Sequence, residues 1–208
     1  MRIANQYSHL NGYEFLIVHK PELWQEIVDT LSSIDANNYT KISRARPSQG
    51  RIFYDQKALN QEIKKQLTPL GWNEVRTPYF VTSDIDTLRD ITSIRDKDEQ
   101  KAIIENKGFE PMSTYNQVDF VKDRVAIEVQ FGKYFSVAYD LHVKHTFFFL
   151  RNDIDVGIEI IPTRAMCRKM DTGVAWFENE VANVVREGRS NPTVPLVIIG
   201  IEPEEILI

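Results

Sequence analysis

Residues 119–134, DFVKDRVAIEVQFGKY, hold three side chains whose types and spacing can do chemistry: Asp119, Glu128 and Gln130. Two short runs, NQVDFV and RVAIEVQF, read as strands joined through the polar Lys122 and Asp123. By alternation, Val125, Ile127, Val129 and Phe131 share one face, and Arg124, Ala126, Glu128 and Gln130 the other. Val118 and Phe120 mark the core face of the first strand, which leaves Gln117 and Asp119 opposite. The expectation is a hairpin whose core faces coincide, because a one-residue slip would bury the carboxylates. Pairing Phe120 with Ile127 sets Asp119 across from Glu128, and pairing it with Val125 sets them diagonally, ~5–8 Å apart in both cases. Two carboxylates that close raise each other's pKa unless a cation lies between them. Hard oxygen ligands favour magnesium over zinc. Gln130 projects from the same face as Glu128 and could orient a water beside the ion. The same pattern also suits the polar, outward face of a half-exposed sheet, and spacing alone does not separate the two readings.

These residues need a scaffold. PELWQEIVDTLSSI (21–34) opens on a proline suited to a first helical turn and repeats apolar residues at helical spacing. ALNQEIKKQLTPLGW (58–72) gives a second amphipathic helix, and DEQKAIIENKG a third that stops at Gly108. Residues 35–50 are polar and basic and read as a mobile loop. Beyond Tyr115 the texture changes. FSVAYDLHVKHTFFFL (135–150) reads as a helix, IDVGIEIIP (154–162) as a strand, VAWFENEVANVVREG (174–188) as a helix and VPLVIIGIE (194–202) as a strand buried on both faces. The order predicts an α/β fold, a mixed central β-sheet flanked by helices, in a single domain over 1–208. Within it, 1–112 is expected to be mainly helical and 113–208 to be the catalytic αβ core.

Composition bounds the function without choosing it. The chain has 208 residues, 42% hydrophobic and 26% charged, enough for a substantial core. A net charge of -5 counts against an unspecific nucleic-acid coat protein but not against a nuclease, whose metal-binding acids add negative charge. Cys167 is the single cysteine, so no internal disulfide forms, in keeping with a reducing cytoplasm. No secretion signal or membrane-spanning run is visible.

The block YNQVDFVKDRVAIEVQFGKY resembles the active-site region of Type II restriction endonucleases related to BglII and BstYI. Their fold is the PD-(D/E)XK nuclease core, here in a variant with glutamine in place of the usual lysine. YSHLNGYEF, SIDA, VAYDLHVKH, IDVGIEIIP and PLVIIGI extend the likeness over most of the chain, toward BstYI-like members in particular. The resemblance implies magnesium-dependent hydrolysis of double-stranded DNA, with 5′-phosphate ends, by a bacterial cytoplasmic enzyme that uses no nucleotide cofactor. It implies that Asp119 and Glu128 bind the metal together with the backbone carbonyl of Val129, and that Gln130 positions the attacking water. Glu74, in GWNEVRT, is a further candidate for the acidic site.

The resemblance also places two loops in the major groove: FGKYF with Lys133, and KMDTGVAW with Asp171 and Thr172. Lys133 can donate to guanine, Asp171 can accept from a base amino group, and Thr172 can do either. Equally, Lys133 suits a phosphate contact, and Asp171 or Thr172 an N-cap for the following helix. A palindromic GATC-centred six-base target and a two-fold homodimer follow from the family. SRARPSQGR (43–51) suits phosphate contact or a solvated loop. A catalytically silent DNA-binding domain and a structure-selective repair nuclease are the rival readings. His142 and His145 lack a third ligand for zinc, Cys167 lacks a His/Asn partner, and no phosphate-binding G-x-x-x-x-G-K-[ST] loop exists.

Overall fold

The computed structural model describes residues 1–44 and 46–207, with only the backbone for Pro47. In chain order the elements are β1 (Arg2–His9), α1 (Gly12–His19), α2 (Pro21–Ser33), β2 (Thr40–Ile42), β3 (Ile52–Tyr54), α3 (Gln56–Leu67) and β4 (Asn73–Val81). These are followed by α4 (Ile85–Thr92), α5 (Lys97–Asn106), β5 (Met112–Lys122), β6 (Val125–Val129) and α6 (Tyr134–Tyr139). A π-helical turn at Asp140–His145 joins α6 to α7 (Thr146–Leu150). The chain continues through β7 (Val156–Pro162), α8 (Arg164–Cys167), α9 (Phe177–Glu187) and β8 (Leu196–Glu202).

The sheet order is β1-β8-β7-β6-β5-β4, with β6, β7 and β8 parallel and the other pairings antiparallel. The three parallel strands are buried along both faces, and their continuous apolar runs are what such strands need. On one face, Leu16 of α1, Leu23, Ile27 and Leu31 of α2, and Leu59, Ile63 and Leu67 of α3 pack on Phe120, Ile127, Ile158 and Ile199. On the other, Val137 and Leu141 of α6 and its π turn, with Phe177 and Val184 of α9, cover Ile161, Leu196 and Ile198. The sheet is mixed and flanked by helices, as the sequence leads one to expect. Among the described residues no helix is long and apolar enough to cross a membrane.

Two strands go unread in the sequence, and one local reading needs correction. The strands at Arg2–His9 and Asn73–Val81 carry no legible alternation, yet they form both edges of the sheet. Edge strands are half-exposed, so burial imposes little pattern on them. β1 and β4 lie on the N-terminal side of residue 112, so both parts of the chain contribute to the sheet. The segment 35–50 is not all loop, because β2 pairs with β3 as a small antiparallel ribbon; Ala45, within SRARPSQGR, lies outside the described residues.

The helix that runs from α6 through α7 lies close on β7. A Cβ on Gly157 would come within 2.5 Å of His145 Nδ1 and 2.6 Å of Leu196 Cδ2. Gly157→Ala is expected to lower stability by about 1–3 kcal/mol through overpacking, measured by denaturant unfolding.

Candidate active site

The β5–β6 hairpin turns on Asp123 and Arg124, both at positive φ (44° and 68°). Such a two-residue turn matches the twist of the strands but favours Asn-Gly over Asp-Arg. Arg124 is held there by two hydrogen bonds to Asp155, at 2.9 and 2.7 Å, and by donation to Asn152. The pairing Phe120–Ile127 forms, with Val121–Ala126 and Lys122–Val125 beyond it. Asp119 thus lies opposite Glu128 where the two strands part.

A bulge modifies this parity. On the β4 side Asn73 pairs with Val121 and Val75 with Val118, so β5 carries one extra residue between them. Val118 consequently packs with Ala126 and Phe148, whereas Phe120 packs with Ile127 on the opposite face. The expectation that Val118 and Phe120 share a face fails, because alternation cannot reveal an inserted residue. The Asp119 carboxylate turns into the gap and accepts the Val129 N–H at 3.2 Å. Gln130 N–H points the other way, to Ile160 O at 2.9 Å. Since a strand residue's N–H and C=O face the same side, the Val129 carbonyl shares the gap with Asp119. A small cavity of ≈100 Å³ opens here, lined by Asn60, Lys64, Glu74, Asp119, Phe120 and Val129. Glu74 is therefore beside Asp119, and its carboxylate is 3.7 Å from Lys64.

Glu128 is not on an outward face. It is 1% exposed, beneath the helix of α6, the π turn and α7. The half-exposed sheet face is thereby overturned: this face is covered, and its polar groups pair with the covering helix. Lys144 Nζ donates to Glu128 Oε1 at 3.0 Å and lies 2.7 Å from Asp140 Oδ1. Asp140 Oδ2 accepts from Gln130 Nε2 at 2.9 Å, and Gln130 Oε1 accepts from Gly132 N at 2.9 Å. Burial, then the nearby Asp119 and Asp140, push the Glu128 carboxyl up to about 9 against the opposing pull of Lys144. Burial also raises Asp140. Burial lowers the Lys144 ammonium, but its two carboxylate partners outweigh that and raise it. Deeper still, Glu159 lies beside Glu128 in the parallel register, and burial raises its carboxyl strongly. His145, 3.4 Å from Glu159, is held down to about 3 by burial and by Lys144, so it stays neutral. That removes any role for it as a cationic partner.

The two loops expected to meet DNA come together. Lys133 bridges to Val174, Tyr134 N donates to Gly173 O, and Lys133 Nζ reaches Thr172 O at 3.3 Å. Asp171 pairs with Lys41 of β2 at 2.6 Å, and Lys41 also bonds Gln56, whose amide holds Phe131 O. The basic ribbon thus joins the loop cluster, where Arg44 and Asp171 line one open cleft. Neither Asp171 nor Thr172 caps α9, whose N-cap is Trp176 with no side-chain cap bond.

Among the described residues no three His, Cys, Asp or Glu side chains cluster so as to hold a metal by themselves. Two carboxylates and a backbone carbonyl beside open space still fit magnesium, which keeps several waters and shares phosphate oxygens. Asp119, Val129 and the cavity at the strand gap supply the open side of such a set, and Glu128 the buried side.

The family model of the restriction endonucleases BglII/BglIII matches residues 4–201. This chain belongs to the BglII/BglIII restriction endonuclease family. As a member, it is a type II site-specific deoxyribonuclease. The crystal structure of restriction endonuclease BglII complexed with a DNA 16-mer superposes with a TM-score of 0.65 at 20% identity, over 97% of this chain and 79% of that one. Free BglII gives 0.59 at 18% identity, over 96% and 79%. No curated protein sequence matches significantly. The family's nuclease fold is therefore kept at low identity.

Sequence reasoning missed Asp140 and Lys144. Their i,i+4 spacing in DLHVK was visible, but such pairs usually lie on solvated helix faces. A carboxyl whose folded pKa is raised above its unfolded value weakens the fold as pH climbs between the two values. For metal-free protein, that window runs from about 4.5 to about 9 for Glu128. Glu128→Gln lacks this slope, so its melting temperature should gain on the wild type between about pH 5 and about pH 9, read by thermal melts in a chelating buffer.

Proposed function

We propose that the chain acts as one domain and as a homodimer. In this reading it is a magnesium-dependent endonuclease that cuts double-stranded DNA at a palindromic, GATC-centred six-base site in the bacterial cytoplasm. It would leave 5′-phosphate and 3′-hydroxyl ends, as a BstYI-like member of the family would. The observation that carries this reading is Asp119 opposite Glu128 at the parting of β5 and β6, with the Val129 amide and carbonyl turned to the same gap.

In this mechanism Asp119, Glu128 and the Val129 carbonyl would hold the ion. Magnesium, when bound, supplies charge to polarise the scissile phosphodiester and lowers the pKa of a bound water. Gln130 orients the attacking water. Its amide is spoken for by Asp140 and Gly132 and keeps one N–H and one oxygen lone pair free. An amide has no useful proton affinity, so Gln130 is not the base, and the proton passes to water or to a phosphate oxygen. Glu74, within the same small cavity as Asp119, would bear on the water or cation from the β4 side. Lys133, Asp171 and Thr172 would read base edges from the joined loops. The partners that the Lys133 and Asp171 side chains already have favour a preset donor and acceptor over mobile ones. A silent DNA-binding domain would have no use for the Asp119, Glu128 and Gln130 set.

Purified protein incubated with unmethylated phage DNA, with and without magnesium, separates the readings. Discrete fragments ending at GATC-centred sites only with the metal are expected. Smeared products would point to a structure-selective nuclease, and binding without cutting to a silent domain. Glu128→Gln, which keeps the buried shape, should slow cutting by ~10²-fold or more while binding DNA in calcium as the wild type does.

A further inference from the structure

Both groups that β6 sends toward the chemistry, Glu128 and Gln130, are held from a single place, the π turn at Asp140–His145. Lys144 grips one carboxylate oxygen of Glu128 and one of Asp140, and Asp140 spends its other oxygen on the Gln130 amide nitrogen. The far end of that amide is fixed as well. Gly132 N donates to its oxygen, and a Cβ on Gly132 would stand 2.5 Å from that atom. Asp140 and Glu128 are each 1% exposed, so bulk water does not replace these contacts. Stability does not explain the arrangement, because a buried ion pair is commonly no better than apolar packing of the same volume. π turns inside helices recur at functional sites. Among the described residues, Lys144 is the one cation in an ion pair with either Glu128 or Asp140.

We propose that Lys144 and Asp140 are positioning residues: Lys144 is the internal counter-ion that holds Glu128 in place before a divalent cation enters, and Asp140 carries that hold across to Gln130. The proposal rests on the reading of Glu128 as a metal ligand and Gln130 as the water-orienting group. In the metal-free protein the ammonium occupies one oxygen of the Glu128 carboxyl group. An entering cation must share Glu128 with it. The protein thereby gives up some metal affinity and gains a ligand and an amide already in position.

The test uses the complete chain and Lys144→Met, which keeps length and removes charge. Without DNA, Mn2+ binding followed by electron paramagnetic resonance should tighten several-fold, because the ammonium no longer shares Glu128 or repels the entering ion. Cleavage of target DNA at saturating metal should nevertheless fall ~10- to 100-fold, with DNA affinity in calcium unchanged. In a Glu128→Gln background the same substitution should tighten Mn2+ binding less, since only the relief of repulsion remains. Unchanged or weakened Mn2+ binding in Lys144→Met overturns the proposal, and so does cleavage at the wild-type rate. Should Lys144→Met not fold, Lys144→Gln, which removes the same charge and keeps a hydrogen-bond donor toward Glu128, is measured with the same expected signs and the same overturning results. A Glu128→Gln protein that cleaves normally would instead sink the reading of the site on which the proposal stands.

Discussion

Burying carboxylates next to one another is the constraint from which the rest of the active region follows. Glu128 and Asp140 lie under a helix, out of water, with Asp119 close by. An unpaired buried charge is costly, and two of like sign more so. Lys144 meets part of that cost with one ammonium shared by two acids. The remainder appears as the high proton affinity of Glu128. A site in this condition has a standing demand for further positive charge. That is the physical basis for reading it as a cation site in a chain that carries net negative charge.

The architecture serves this constraint. β6 is an inner strand with a parallel neighbour on one side and an antiparallel neighbour on the other. On the β7 side the ladder continues to Gln130, whereas on the β5 side pairing stops at Ile127. The difference leaves Val129 without a strand partner toward β5, and Asp119 takes its N–H instead. The bulge in β5 turns the carboxylate inward, a common use of bulges beside functional sites. On the far side the loops with Lys133 and Asp171 are tied to each other and, through Lys41, to the β2–β3 ribbon. Elements distant in sequence thus form one surface, linked through Gln56 to Phe131, two residues beyond Val129.

Family membership and structure bear on different parts of the account. The family model spans nearly the whole chain and fixes the class of enzyme. The likeness to BglII, at 20% identity, concerns the fold. Neither describes the side chains of the site, which come from this chain's own structure. Asp140 and Lys144 reach β6 from a π turn, and a buried neutral His145 sits against Glu159.

The sequence by itself determined the elements buried on both faces or carrying a clean helical stripe. The β6, β7 and β8 runs and helices α2, α3 and α9 are legible because burial demands apolar residues at fixed periods. It also set Asp119 near Glu128 across a hairpin, a nearness that the Phe120–Ile127 pairing produces. It did not determine which of two pairings forms, because both satisfy the same alternation. Nor did it reveal β1 and β4, since half-exposed edges leave little pattern. Only the tertiary structure decided that Glu128 faces a helix rather than solvent. Alternation along a strand distinguishes its two sides but says nothing about what covers either. Which partner meets a buried charge is likewise a matter of chain segments far apart in sequence, and only packing brings them together.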